Sequence, residues 1–253
     1  MQLQPTYSPL MSATGSAVFA FALAVALAAV HLVADRIPFS WPLTRARWLS
    51  AAAGVSIVYV LIYILPKLAH EHAQVTDTVS GGGRLIYVLV FCGLAGFFGL
   101  ERIARVTKTR RPTIGPNWIT RDPVFWIHIA VFAAYNGVIG YVLVSGELLE
   151  DPIPFAIAMG LHLFGIDEGL RNHHNDVYHR FGRWVLAGAL LVGAVGVFVS
   201  TLGTSTQIWL LALLSGGILF NAIKEELPAD RESSFWAFVV GAGLFAGIVA
   251  LLL

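Results

Sequence analysis

Leu219-Phe220-Asn221-Ala222-Ile223-Lys224-Glu225-Glu226-Leu227-Pro228 begins inside a long apolar run and ends in charges and a proline. Carboxylates at the end of a membrane-spanning helix are unfavourable to insert, so they usually serve a function there. Tyr63-Ile64-Leu65-Pro66-Lys67 closes an earlier apolar run in the same way. Two Leu-Pro exits in corresponding positions predict a chain of two related halves, a common plan among transporters.

Working outward, the whole chain has the composition of a membrane protein. It is 57% hydrophobic and 12% charged, with a mean hydropathy of +0.74, against about 25% charge in a soluble domain. Spans need roughly 17–25 apolar residues. Eight are predicted, at about 14–35, 48–66, 85–105, 124–145, 152–170, 182–202, 206–224 and 233–253. The expected fold is therefore all-α, polytopic, and one transmembrane domain over 1–253. With the N-terminus outside, fourteen of the 16 Lys and Arg residues fall in inner loops, leaving only Lys67 and Arg84 outside. This asymmetry supports eight spans with both termini outside. The first apolar run has no basic segment before it, so a cleaved signal peptide is not expected. Cys92 is the single cysteine, which excludes an intramolecular disulfide. The net charge of +1 carries no nucleic-acid footprint, so the expected surroundings are lipid, with a homodimer or a larger membrane assembly left open.

Small residues supply candidate helix contacts: Gly93, Gly96 and Gly99 in span three, Gly137 and Gly140 in span four, Gly243 and Gly247 in span eight. Polar groups at membrane depth are the candidate site. Span four carries Asn136, and span five carries His162 with Asp167 and Glu168 near its inner end. His162 and Asp167 lie about 140° apart on a regular helix, so joint ligation requires a distortion, which Gly165 permits. Interhelical hydrogen bonds are the alternative use of these groups. The clusters His70-Glu71-His72 and His173-His174-Asn175-Asp176 read as solvated loops or loose metal collectors. His31 and His128, in spans one and four, leave a two-histidine haem open.

With these residues on the page, the chain resembles the ZIP (Zrt/Irt-like) metal transporter family over nearly its whole length, with eight spans in a 3+2+3 arrangement. The likeness is most specific at Leu219 to Pro228, which follows the family pattern L-Y-V-A-L-V-E-L-L-P without a gap and puts Glu225 on its acidic position. Tyr63 to Lys67 resemble the H-L-L-P-E exit. At the span-four pattern H-N-x-x-D-G stand Phe132, Ala133, Asn136 and Gly137, and at H-E-x-P-H-E stand His162, Leu163, Gly165, Ile166 and Asp167. His162 is kept, Asp167 is acid for acid and Asn136 stands for Asp, while the other ligands of the pattern are missing.

The resemblance implies a transporter of a divalent cation, zinc by default, in a bacterial inner membrane. It implies no enzymatic activity and, apart from the metal as substrate, no cofactor. Asn136, His162 and Asp167 would be ligands of one reduced site between spans four and five, with Glu225 a nearby carboxylate. The missing ligands keep a second expectation open, a non-transporting protein of the same fold serving as an accessory subunit. A hydrolase using metal-bound water would need three firm ligands and a base.

Overall fold

The computed structural model describes residues 13–36, 44–75, 82–109, 123–149, 151–226 and 234–252. They form helices and short connections, with no strand among them. Helix α1 is Ala13–Val33, followed by a 3-10 turn Ala34–Arg36. Helix α2 (Arg45–Val58) runs through a π turn, Tyr59–Ile64, into α3 (Leu65–Val75). Then come α4 (Gly82–Thr109), α5 (Pro123–Ser145), α6 (Pro152–Val177), a second π turn Tyr178–Gly182, α7 (Arg183–Val199), α8 (Thr204–Glu226) and α9 (Phe235–Leu252).

Seven segments are long and apolar enough to cross a membrane: Gly15–Val33, Arg45–Ala73, Arg84–Val106, Val124–Ser145, Pro152–Asn172, Tyr178–Val199 and Thr204–Lys224. Phe235–Leu251 is a shorter apolar helix. Helix α9 has 18 residues, about 27 Å at 1.5 Å per residue, slightly under the roughly 30 Å hydrocarbon core. The protein is thus a membrane protein, helical throughout its described spans and in contact with lipid, and Phe91, Phe98, Val192 and Leu244 are among the large apolar side chains on its outer surface.

Local chemistry sets the helix ends. Thr44 caps α2, its hydroxyl accepting from the Arg47 amide at 3.4 Å. Asp151 accepts from the Ile153 amide at 2.8 Å and precedes Pro152, whose missing N–H is harmless in a first turn. Gly146, at φ 66°, takes the left-handed conformation that closes α5.

The Leu65-Pro66 element differs from the expected exit. The chain stays helical through Pro66, and His70-Glu71-His72 form the last turns of α3 rather than a loop. Proline within a helix removes an amide donor and crowds the preceding turn. The π turn accommodates it: the Leu65 amide bonds the Val60 carbonyl five residues back, widening the helix just before the ring. A second break follows α6. The Tyr178 hydroxyl bonds Asp167, eleven residues earlier. A straight helix separates such residues by about 16 Å along its axis, more than the two side chains span, so the axis bends before the Tyr178–Gly182 π turn.

The helices pack as two bundles that interleave the halves of the sequence. Helices α1, α5, α6 and α7 form one, and α2, α3, α4, α8 and α9 form the other. Within each bundle, glycines let backbones touch. A Cβ on Gly216 would lie 1.9 Å from the Val90 carbonyl oxygen, and one on Gly93 2.0 Å from that of Leu213, joining α4 to α8. Gly193 against Gly137, and Gly140 against Leu190, do the same for α5 and α7. Gly54 and Gly241 do it for α2 and α9. Of the expected contact glycines, Gly96, Gly99, Gly243 and Gly247 meet nothing within 4 Å. Between bundles the contact is chiefly α6 on α2 and α8, and α5 on α8, with α6 approaching α2 as closely as it does α1.

Replacing Gly216 by Ala drives a methyl into the Val90 backbone and is expected to destabilise the fold by about 2 kcal/mol, the usual range for overpacking. Gly243→Ala is expected to leave it unchanged. Thermal unfolding of the detergent-purified variants checks both.

Candidate functional site

A cavity of about 30 Å³ lies between the two bundles, room for about two water molecules at roughly 15 Å³ each. Bundle one contributes His128 and Phe132 of α5, and Leu161, His162, Gly165 and Ile166 of α6. Bundle two contributes Ala52, Ala53 and Ser56 of α2, Glu101 of α4, and Asn221 and Lys224 of α8. Gly165 has no neighbour within 4 Å of where a Cβ would stand, so its missing side chain leaves open space at the cavity wall.

Several polar wall residues have a hydrogen-bond partner. The Nε2 of His162 lies 2.7 Å from the Tyr135 hydroxyl. Either group can donate in this contact, and the direction sets which ring nitrogen of His162 carries the hydrogen. Tyr135 is held by Phe97 and Phe132, with ring centroids at 5.4 and 6.2 Å, and Gly217 makes room for it, since a Cβ there would meet the Phe97 and Tyr135 rings. Asn221 donates its Nδ2 to the Gly217 carbonyl at 3.0 Å, so its Oδ1 is the atom that would meet a cation. Ser56 donates to the Ala52 carbonyl at 2.8 Å. At the cavity wall, Lys224 Nζ lies 3.1 Å and Arg105 Nε 2.9 Å from the two oxygens of Glu101.

Of the four residues expected at one site, the three with described side chains fall in two places. Asn136 and Asp167 come together, but through a residue the sequence reading did not join to them. His31 of α1 places Nδ1 2.7 Å from Asp167 Oδ1 and Nε2 2.8 Å from Asn136 Oδ1. Asn136 also donates Nδ2 to the Phe132 carbonyl at 2.8 Å, and Tyr178 donates to Asp167. His162 belongs to the cavity instead. The Glu225 side chain, and those of His173 to Asp176, lie outside the described residues. Both ring nitrogens of His31 are engaged, so it offers none to a haem iron. Among the described residues, no three His, Cys, Asp or Glu side chains converge on a metal position.

An ion pair joins the bundles near the α2 start. Arg45 donates to Glu168, with its Nε at 2.7 Å, and its guanidinium lies 5.6 Å from the Phe164 ring centre. Arg171 and Asn172 bind the same carboxylate. On the α5–α6 and α7–α8 connections, Gln207 donates to Glu147 at 2.7 Å and to the Leu202 carbonyl at 2.9 Å, and Ser145 donates to Gln207 at 2.9 Å.

The His31–Asp167 pair was hidden because the partners stand 136 residues apart. The available signal was a lone titratable residue in an otherwise apolar first span. Glu101 and Lys224 were legible as charges at span ends, but not as neighbours.

The sequence matches no protein-family model and no curated protein.

Removing one partner of the cavity ion pair strands the other. Glu101→Ala is expected to cost about 2 kcal/mol, as for a lost hydrogen bond to a charged group. Glu101→Ala combined with Lys224→Ala should cost less than the sum of the two single changes. Denaturation of the three variants provides the comparison.

Proposed function

We propose that this protein is a ZIP-like membrane transporter that carries a small cation, a divalent metal with zinc as default, through the cavity between its two bundles. The observation that supports this is the position of the cavity. Its polar walls belong to different bundles, so any relative movement of the bundles changes its exposure. Glycine-mediated backbone contacts join α4 to α8, α5 to α7 and α2 to α9, each pair within one bundle, and no described glycine makes such a contact across the boundary. A carrier whose bundles rock around a polar site at membrane depth follows from that division.

The proposed donors are His162 of α6 and Asn221 of α8, the latter through Oδ1, facing each other across the boundary between the bundles. So small a donor set suits a passing ion, which must leave as readily as it enters. Glu225, on the same helix as Asn221, is a carboxylate toward which a released ion could move. Asn136 and Asp167 have no ligand role in this reading, because His31 engages both.

A second reading is favoured by the lack of a converged ligand cluster among the described residues. In it the protein has the same fold but carries no ion, and serves as an accessory subunit of a membrane assembly. It predicts copurification with a fixed partner and no bound metal.

Zinc uptake into proteoliposomes containing the purified protein distinguishes the readings. The transport reading expects saturable uptake that falls at least about tenfold in His162→Ala, the effect of roughly 1.4 kcal/mol at the rate-limiting step. Uptake indistinguishable from empty liposomes contradicts it.

A further inference from the structure

The stripe of α2 that lines the cavity continues past it. Ala52 and Ser56 stand in the cavity wall, and Tyr59 and Tyr63 of the π turn follow at spacings of three and four residues, which keep side chains on one face. Ser56, Tyr59 and Tyr63 are all buried, so three hydroxyls succeed one another along the helix. Tyr59 lies one turn beyond the cavity. Its ring stacks on Tyr63 at a centroid distance of 5.2 Å and meets Phe155 of α6 edge-on at 6.1 Å. Phe155 belongs to the other bundle, so this contact closes the seam beyond the cavity. Asp151, half-buried at the start of α6 and four residues before Phe155, has its carboxylate near enough to act electrostatically on Tyr59.

The closed seam leaves one polar atom unsatisfied. The Tyr59 hydroxyl is buried and has no hydrogen-bond partner among the described residues. Tyr63, Phe155 and Phe245, the last at 5.8 Å, shut it in with rings. Ser56 differs, since it donates to the Ala52 carbonyl. A phenol held away from water without a partner carries a penalty that phenylalanine in the same place does not. Packing against three rings is served equally well without the oxygen. The penalty lasts only while Tyr59 and Phe155 stay together; once the bundles part there, the hydroxyl meets water or a hydrated ion.

We propose that Tyr59 gates the half of the ion route beyond the cavity. The hydroxyl stripe Ser56–Tyr59–Tyr63 is the wall of that route toward Asp151, whose charge draws cations to its mouth. The unpartnered hydroxyl weakens the closed seam, so that it opens readily on this side. The assignment rests on the transport reading above, but it concerns access along the seam, which can be measured without transport.

The test removes the hydroxyl and keeps the ring, in the full-length protein. Tyr59→Phe is expected to raise the melting temperature in detergent by roughly 2–6 °C. An unchanged or lower value means that the hydroxyl is satisfied in the closed seam and overturns the proposal. Access is read with Cys92→Ala as background and Ser56→Cys as the single thiol, treated with a positively charged, membrane-impermeant thiol reagent. The preparation, intact cells or inside-out vesicles, is the one in which Ile153→Cys, at an exposed position beside Asp151, reacts. Ser56→Cys is expected to react from that side, and adding Tyr59→Phe is expected to slow the reaction at least about fivefold. No reaction, or a rate that Tyr59→Phe leaves unchanged or raises, overturns the proposal. If Ser56→Cys does not fold, Ala53→Cys on the same cavity wall takes its place. A wild-type protein that takes up no zinc defeats the transport reading alone, and melting and labelling still judge the gate.

Discussion

Hydrocarbon supplies no hydrogen-bond partners, so every polar group carried into it must be satisfied by another part of the same chain. Asp167 shows it at its Oδ1. Its carboxyl meets His31 and Tyr178, and His31 in turn is tied to Asn136. The requirement pulls α1, α5, α6 and the turn before α7 onto a common centre. Glu101, shared between Arg105 and Lys224, and Glu168, shared between Arg45 and Arg171, obey the same rule at other points of the bundle.

Backbone satisfaction follows a related logic. The π turns at Tyr59–Ile64 and Tyr178–Gly182 keep the chain helical where its geometry must change. One passes a proline without ending the span. The other lies where the axis turns back so that Tyr178 reaches Asp167. Lipid offers no hydrophobic drive between helices, so close approach must come from small residues. The reciprocal glycines on α4 and α8, on α5 and α7, and on α2 and α9 meet that need within each bundle. The boundary between bundles carries instead a small cavity, mostly apolar in lining, with a few polar side chains from both sides. The proposed transport cycle uses this contrast between glycine-joined helix pairs and the seam.

The membrane class was legible in composition, and apolar run length gave the positions of seven of the eight expected spans closely, the last being a shorter apolar helix, because both report the local requirement of crossing a bilayer. Leu65-Pro66 was read as an exit because proline normally stops a helix, and no local signal announces the π turn that carries the chain past it. Among glycines, spacing marked Gly93, Gly137 and Gly140, which do approach a neighbouring backbone, and equally Gly243 and Gly247, which do not. The pattern is the same in both cases, and only the identity of the facing helix separates them. For the candidate site, Asn136, His162 and Asp167 were found as polar groups at depth. Their division into two places was not, since it depends on His31 and Tyr135, whose contacts span 136 and 27 residues.

The central claim is that two internally tight bundles can shift along the seam holding His162, Glu101 and Asn221. Spin labels on lipid-facing positions test it directly, with Cys92 replaced so that only the introduced sites react. A pair at Val192 and Leu244 spans the two bundles, while Val192 with Ile127 and Phe98 with Leu244 each stay within one. Electron–electron distance measurements in liposomes, with and without zinc, should give one narrow, zinc-insensitive distribution for each within-bundle pair. The pair across the seam should give two populations whose balance zinc changes. A single narrow distribution for all three pairs under both conditions would contradict the account.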